Sequence, residues 1–269
     1  MHIVAIAAQK GGVGKTTTAV RLAEALVRSH HRVLVVDLDP QAAATALLAG
    51  DVRPSRGTAE VLLDSAALAE VVTPARSQID LCASSDALVR AELALASLVG
   101  RESILLEALE AAPADRWDVV LLDCPPSLGL LTVNGLAAAG FVLSPVVPAY
   151  LSLISVRQLE GTVAAVQKRI NPGLRSLGHL LCAVDARERL LPEAREALRQ
   201  HVGLALWPIE VRVDARLKAG PSSSASRGRG AEDYARVAIE LMRRLEPPLK
   251  RTSQRPLKRP AKRTSKAGA

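Results

Sequence analysis

The stretch "QKGGVGKTT" at residues 9–17 decides the fold of this chain. It matches the phosphate-loop pattern G-x-x-x-x-G-K-[ST], except that Gln9 stands where the first glycine belongs. Its three glycines let the backbone wrap closely, so that N–H groups face inward and bind phosphate oxygens at the start of a helix. Lys15 then supplies a cation to the phosphates, and the Thr16 hydroxyl is suited to Mg²⁺. The general pattern gives no role to the second lysine, Lys10.

Short apolar runs and helical patterns alternate on both sides of this loop. Strands are predicted at 2–8, 32–37, 79–84, 117–123, 140–147 and 177–184, and helices at 15–29, 86–97, 102–111, 130–139, 152–169 and 191–201. This alternation predicts an α/β fold of the P-loop NTPase type, with a mainly parallel, twisted sheet and helices on both faces. After residue 203 the pattern weakens, leaving a short helix in "VDARLKAG" and a closing helix at 231–245.

The bulk composition fits one large packed domain followed by a basic tail. Hydrophobic residues make up 49% of the 269 residues and aromatic ones 2%, so the core must consist of Ala, Leu, Val and Ile. The net charge of +8 equals the eight Lys and Arg of residues 247–269, which contain no Asp or Glu. We therefore predict a single ATPase domain at 1–246 and a basic, disordered tail at 247–269 that is suited to a polyanion.

Two further features restrict the class of protein. The uncharged stretch 124–156 is interrupted by prolines and glycines, which favours a buried helix and strand over a membrane span. The three cysteines, Cys82, Cys124 and Cys182, match neither a disulfide framework nor a metal-binding spacing, which indicates a reducing cytosol.

Acidic residues follow two of the predicted strands. Asp37 and Asp39 end the second, where Asp37 either supports a metal or the loop, or caps the next turn. Asp123 ends the fourth, as a metal-site carboxylate or as a buried structural one. Because ligands bind at the carboxyl ends of strands in such sheets, the loop and these residues should meet in one crevice.

Four segments resemble the ParA/MinD group of ATPases, and specifically its ParA-type partition proteins. They are "KGGVGKTT", "DLDPQAAAT", "DCPPSLGLLTVNGLAAA" and "NPGLRSLGHLLCAVDARERL", and the resemblance spans roughly residues 1–245. It implies that ATP and Mg²⁺ are bound by Gly11, Gly12, Val13, Gly14, Lys15, Thr16 and Thr17, with Thr16 and Asp123 at the metal, the latter through water. It also implies that Lys10 reaches the phosphates of a partner subunit in a nucleotide-sandwich homodimer and that Asp39 holds the attacking water. Asn134 and Asp185 match family positions near the nucleotide or the switch segments, although Asn134 could equally bridge helices.

The resemblance also implies partners. ParA-type dimers bind DNA without sequence preference, and a ParB-like centromere-binding protein stimulates their otherwise weak ATP hydrolysis, which places the protein in the cytoplasm on the nucleoid. "VRVDARLKAGPSS" and "SRGRGAEDYARVA" are similar to the DNA-contacting part of the family, and carry Arg216 and Arg229. The chain departs from the family pattern at "SSSAS", where an apolar piece is expected.

Three rival functions share the same loop. A MinD-like ATPase would act on a membrane or another cargo, but the tail lacks the apolar face of an interfacial helix. A reductase resembling the nitrogenase iron protein would need cysteines placed for a shared cluster, and Cys124 is not so placed. A nucleotide-locked scaffold would bind ATP and barely hydrolyse it. The histidines His30, His31, His179 and His201 show no ligand spacing and are interpreted as surface or helix-end residues.

Overall fold

A computed structural model describes residues 1–50, 54–149, 152–218 and 228–246. Its strands are β1 (His2–Ile6), β2 (Val33–Asp37), β3 (Val72–Pro74), β4 (Asp80–Cys82), β5 (Val119–Asp123), β6 (Phe141–Val146), β7 (Arg175–Val184) and β8 (Leu206–Arg212). They form one sheet of eight strands in the order β3-β4-β2-β5-β1-β6-β7-β8. Every pair is parallel except β3 with β4, so the predicted mainly parallel sheet is confirmed.

Helices cover both faces of this sheet, as predicted. They are α1 (Lys15–Arg28), α2 (Ala43–Ala49), α3 (Thr58–Leu62), α4 (Leu68–Val71), α5 (Ala87–Leu95), α6 (Ile104–Glu110), α7 (Leu130–Ala138), α8 (Ser152–Arg169), α9 (Leu191–Val202), α10 (Ala215–Lys218) and α11 (Arg229–Leu245). The hydrophobic cluster on one face contains residues of α1, α2, α10 and α11. The cluster on the other face contains residues of α3 to α8.

Small and branched aliphatic side chains fill the core, as the low aromatic content requires. The central strands β1 and β5 contribute Val4, Ile6, Val120 and Leu122, all fully buried. A parallel strand that is covered on both faces needs such an unbroken apolar run, which explains why these strands are readable from the sequence. The uncharged stretch 124–156 divides into α7, β6 and the start of α8. None of the helices in the described ranges is long and apolar enough to cross a membrane.

The structure adds two strands that the sequence analysis did not predict. β8 lies at one edge of the sheet and carries Pro208, Glu210 and Arg212 between its apolar residues. An edge strand tolerates proline and charge because one of its sides needs no backbone partner, so its pattern is weak. β3, at the other edge, has only three residues. The weak pattern after residue 203 therefore hid a strand, whereas the short helix α10 and the closing helix α11 were correctly predicted.

Three neighbouring strands position the site. β2, β5 and β1 are adjacent in the sheet, and the phosphate loop follows β1. Asp37 and Asp123 end β2 and β5 and are paired across the two strands. The crevice predicted at the carboxyl ends of the strands therefore exists. The tail at 247–269 and the segment "SSSAS" lie outside the described residues, so the division of the chain at 246 stays a prediction.

Candidate nucleotide-binding site

The phosphate loop depends on backbone conformations that only glycine adopts readily. Gly12 and Gly14 have φ values of 75° and 98°, in the left-handed region. Gly14 is also the N-cap of α1, and the first hydrogen bond of that helix runs from Thr18 N to Gly14 O at 2.8 Å. The N–H groups that come before Thr18, in the first turn of α1, have no partner within the helix, and they carry the positive end of the helix dipole. The loop therefore has the geometry of an anion site.

Lys15 lies across this loop. It is buried, and its Nζ donates a hydrogen bond to the Lys10 carbonyl oxygen at 3.1 Å. Burial lowers the pKa of Lys15, while the neighbouring Asp123, Cys124 and Asp39 act in the opposite direction. The ammonium group of Lys15 therefore lies near the carboxylates of Asp123 and Asp39. Lys10 contributes only its carbonyl to this contact, and its side chain is exposed.

Asp123 has a carboxylate that is buried without a partner. Neither of its oxygens makes a hydrogen bond of normal geometry within the described residues. Burial raises the pKa of Asp123 well above its usual value, the charge of Asp37 raises it further, and Thr16 and Lys15 oppose both effects. Since a buried carboxylate requires compensation, this group fits a cation or a polarised water beside Thr16. Thr16 and Asp123 are accordingly the residues that would hold a magnesium ion here.

Asp37 and Asp39 make different contacts, although both follow β2. The Asp37 carboxylate accepts hydrogen bonds from Asp39 N at 3.1 Å and from Thr45 N and Oγ1, both at 2.8 Å. Burial raises the pKa of Asp37 to about 6, against the effect of these donors. Asp37 therefore joins the turn after β2 to the first turn of α2. The half-buried Asp39 carboxylate accepts one bond from Gln41 N at 3.0 Å and keeps acceptor capacity toward the crevice.

A cavity of about 260 Å³ adjoins the loop, and the sequence analysis did not predict it. Its lining includes Gly12 of the loop, Thr17 of α1, Cys182 of β7, Asp214 between β8 and α10, and Tyr234 of α11. Below it, the Thr18 hydroxyl lies 3.0 Å from the Tyr234 hydroxyl and 3.8 Å from Cys182 Sγ. These residues are far apart in the sequence. A prediction of the cavity would therefore first have required a correct prediction of β8.

The two arginines predicted to contact DNA lie at one place. Arg216 is on α10, and its Nε is 3.6 Å from Asp214 Oδ1. Arg229 begins α11, is exposed, and acts electrostatically on the same Asp214 carboxylate. The structure thus brings Arg216 and Arg229 together at the edge of the cavity; their role remains a prediction.

Three other interpretations from the sequence can be judged against these contacts. His179 was interpreted as a surface or helix-end residue, and this was wrong: it is buried in β7, with Nε2 3.3 Å from Glu160 Oε1. Asn134 of α7 bridges to α6, since its Oδ1 accepts a hydrogen bond from Leu105 N at 3.4 Å and its Nδ2 donates to Arg101 O, just before α6, at 2.8 Å. The three cysteines are buried and unpaired, and burial raises the pKa of Cys182 to about 12, so it stays a thiol.

The loop, its lysine and the strand-end carboxylates define a P-loop nucleotide-binding domain. The sequence model of the family described as "AAA domain" matches residues 1–176.

The chain is 37% identical over 249 residues to the sporulation initiation inhibitor protein Soj of Bacillus subtilis, covering 89% of this chain and 97% of that protein. It is 41% identical over 249 residues to the chromosome-partitioning ATPase Soj of Thermus thermophilus, covering 90% and 96%. This chain belongs to the ParA-type family of partition ATPases, as its motifs predicted. Among solved structures, it superposes with a TM-score of 0.78 and 33% identity on a cobyrinic acid a,c-diamide synthase from Mycobacterium smegmatis with bound ADP and magnesium, covering 90% of this chain and 94% of that one.

Proposed function

We propose that this protein is an ATP-dependent DNA-partition ATPase whose ATP-bound homodimer binds DNA and releases it after hydrolysis. The observation that carries the proposal is the buried Asp123 carboxylate, which makes no hydrogen bond of normal geometry within the described residues and lies beside Lys15 and Thr16. An unpaired buried charge is costly unless a ligand compensates it. Magnesium with a nucleoside triphosphate in the loop supplies that compensation, and the relative solved with ADP and magnesium supports the same choice of ligand.

Each residue then has a defined chemical task. The N–H groups of Gly11 to Thr17 bind the phosphate oxygens, and Lys15 places its ammonium group against the β- and γ-phosphates. Thr16 and Asp123 would hold Mg²⁺, which would supply positive charge to neutralise the charge that develops on the phosphate oxygens. The Asp39 carboxylate orients the attacking water, which requires position more than basicity, because phosphoryl transfer is mainly catalysed by positioning and electrostatics. The cavity bounded by Gly12, Val213 and Asp214 adjoins the loop and receives the base.

Lys10 makes hydrolysis conditional on dimerisation. Its side chain is exposed, while its own carbonyl already holds Lys15. A cation that reaches the triphosphate of the partner subunit stabilises charge in the transition state, as an arginine finger does in other phosphate-loop enzymes. An isolated subunit lacks this cation, so hydrolysis is slow until two copies are aligned. A ParB-like partner accelerates it further by stabilising the productive dimer.

DNA binding involves the sugar–phosphate backbone and not the bases. Arg216 and Arg229 are exposed cations on the same edge of the domain, and residues 247–269 add eight more. Such contacts release counterions and carry no sequence information. A protein with these contacts associates with the nucleoid in the cytoplasm, which is the location we propose.

The decisive experiment measures retention of duplex DNA by the pure protein with ATP, with ADP and without nucleotide. We expect retention with ATP only, a dimer by light scattering under the same conditions, and slow hydrolysis that rises when the ParB-like protein is added. DNA retention that ignores the nucleotide, or fast hydrolysis by the protein alone, would contradict the proposal.

Anionic liposomes in a parallel assay distinguish the MinD-like alternative. The buried face of α11, with Tyr234, Val237, Leu241 and Leu245, packs into the domain core and not outward. We therefore expect no ATP-dependent retention on liposomes. Retention on liposomes without retention on DNA would favour the alternative.

A further inference from the structure

Asp214 joins the starts of two helices. Its Oδ1 accepts a hydrogen bond from Arg216 N at 3.0 Å, and its Oδ2 accepts one from Gly230 N at 3.1 Å. These backbone donors, that of Gly230 foremost, lower the pKa of Asp214, so the group is ionised near neutral pH. One carboxylate thus sets the first turn of α10, which carries Arg216, and the first turn of α11, which carries Arg229.

The packing around this carboxylate leaves little room for independent movement. Gly228 has a φ of 135°, and a Cβ atom there would lie 2.7 Å from Arg216 Nη1 and 3.0 Å from Asp214 Oδ2. A Cβ atom on Gly230 would lie 2.6 Å from Leu217 Cγ. Close packing of this kind transmits displacements between neighbouring groups. A displacement of Asp214 therefore shifts the backbone at Arg216 and Gly230, to which it is hydrogen-bonded.

The other side of the same segment lines the cavity next to the phosphate loop. Val213 and Asp214 form part of its wall, opposite Gly12 and Gly14. A second contact runs from the loop to α10, because α1 begins at Lys15 and its Arg21 Nη2 lies 3.4 Å from the Leu217 carbonyl oxygen. A ligand in the cavity consequently touches the residue that holds the two arginines.

We propose that Asp214 is a positioning residue that couples occupation of the nucleotide cavity to the basic patch of Arg216 and Arg229. This inference rests on the proposed function, since it assumes a nucleotide in the cavity and DNA on the patch. Coupling requires a shared element that differs between the two ligand states. The base confines Val213 and Asp214, the carboxylate then fixes Arg216 N and Gly230 N, and both arginines are presented in one arrangement. Without the base, Asp214 makes the same contacts, but Val213 and Asp214 are not confined, so the first turns of α10 and α11 open more often.

The test compares the wild type with Asp214→Asn, which keeps the size and loses the charge and one of the two acceptors. Asp118→Asn is the matched control. The Asp118 carboxylate also accepts hydrogen bonds from a backbone N–H and from a guanidinium group, both of Arg32, and it lies just before β5, at the end of the sheet away from the phosphate loop. Two quantities are measured in the full chain. The first is the ratio of duplex DNA affinity with ATP to that without nucleotide. The second is amide hydrogen exchange at 229–232 with and without ADP, in protein whose melting temperature shows that it is folded.

In the wild type and in Asp118→Asn, we expect ATP to raise DNA affinity by about 5- to 150-fold, a usual range for coupled sites, and ADP to slow exchange at 229–232. In Asp214→Asn, with every protein compared at a nucleotide concentration that saturates it, the affinity ratio should fall below about threefold and the exchange response should vanish. Equal responses in Asp214→Asn and the wild type would overturn the inference. If the wild type binds no DNA in any state, the proposed function fails and the exchange experiment alone decides the coupling.

A second variant separates the coupling from the patch itself. Arg216→Gln removes the guanidinium group but keeps both backbone bonds to Asp214. ADP should still slow exchange at 229–232 in this variant, while DNA affinity falls with ATP and without it. Loss of the exchange response in Arg216→Gln would also overturn the inference, because the coupling would then run through the guanidinium group.

Discussion

Asp37 and Asp123 are direct neighbours across β2 and β5, yet among the described residues Asp37 has three hydrogen bonds of normal geometry and Asp123 has none. Both side chains are fully buried at the carboxyl end of the sheet. Thr45 and Asp39 satisfy the first carboxylate, whereas the second lies open to the crevice beside Lys15 and Thr16. Two adjacent positions with the same residue type therefore do different work. Asp37 fixes the turn after β2, whereas the Asp123 oxygens remain available to a ligand.

The unpaired carboxylate predicts a stability that depends on pH and on metal. Burial raises the pKa of Asp123, and raises that of Asp37 to about 6, so the folded state holds protons that the unfolded state releases near pH 4. The free energy of unfolding without ligand should therefore fall as pH rises from 5 to 8. Asp123→Asn should flatten this fall and, at pH 8, should be more stable than the wild type by about 1–3 kcal/mol. Denaturant titration of both proteins at each pH measures this free energy of unfolding.

Asp118→Asn is the control, because the pKa of Asp118 is shifted in the opposite direction to that of Asp123. Hydrogen bonds from Arg32 hold the pKa of the exposed Asp118 at about 2, so its removal should not stabilise the protein at pH 8. Adding Mg²⁺ and ADP should raise the melting temperature of the wild type more than that of Asp123→Asn. If Asp123→Asn without ligand were less stable than the wild type at pH 8, the buried Asp123 carboxylate would not be the destabilising group.

The two lysines of the loop should fail in different ways. Lys15→Ala removes a buried cation from the phosphate site, so nucleotide binding should weaken by about 2–5 kcal/mol, or at least about 30-fold. Lys10→Ala removes an exposed side chain, so each subunit should still bind ATP. Its hydrolysis should fall by about 10³-fold, the lower range for a cation supplied in trans. Fluorescent-nucleotide titration and phosphate release separate the two effects. Normal turnover by Lys10→Ala would eliminate the shared-site mechanism.

Asp39 should be needed for hydrolysis and dispensable for binding. Asp39→Ala should slow hydrolysis by about 10²- to 10⁴-fold, the usual contribution of a positioned acid or base, and leave an ATP-bound dimer on DNA. The variant also loses the turn bond to Gln41 N, so its melting temperature must be checked. Asp86→Ala is a suitable control, since Asp86 is exposed and makes no capping bond at the start of α5. Unchanged single-turnover hydrolysis in Asp39→Ala would show that another group orients the water.

The parts of the fold that sequence could predict are those encoded locally. Val119 to Asp123 form an unbroken apolar run that ends in a carboxylate, and the strand follows from those residues alone. β8 escaped prediction because Pro208, Glu210 and Arg212 mask its alternation, and only its place at the edge of the sheet makes them acceptable. Burial of His179 was missed for a similar reason, since a polar residue in a strand gives no sign of its depth.

The candidate site likewise has one part that the sequence predicts and another that only the structure shows. Gly12, Gly14 and Lys15 act through the backbone of one short loop, so their spacing is sufficient to predict an anion site. The cavity is formed by β7, β8, α10 and α11, so Asp214 and Tyr234 had no common motif in the sequence. The different roles of Asp37 and Asp123 also needed the structure, because Thr45 reaches Asp37 from eight residues away.

α11 separates two groups of cations along the sequence. Arg216 and Arg229 lie near its start, and the eight cations of residues 247–269 follow its last residue in the chain. Because the two groups belong to separate segments, we expect their contributions to DNA affinity to be separable.

Deletion of 247–269 should lower DNA affinity and flatten its dependence on salt, because each lost phosphate contact reduces the slope of log K against log salt by about 0.9. Dependence on ATP should remain, because Arg216 and Arg229 stay in place. The reverse is expected of an Arg216→Ala and Arg229→Ala double variant, which should keep most of the slope and lose the response to ATP. A full-length chain with the eight tail cations changed to serine controls for length. Equal affinity and slope in the wild type, the deletion and the serine variant would show that the tail does not contact DNA.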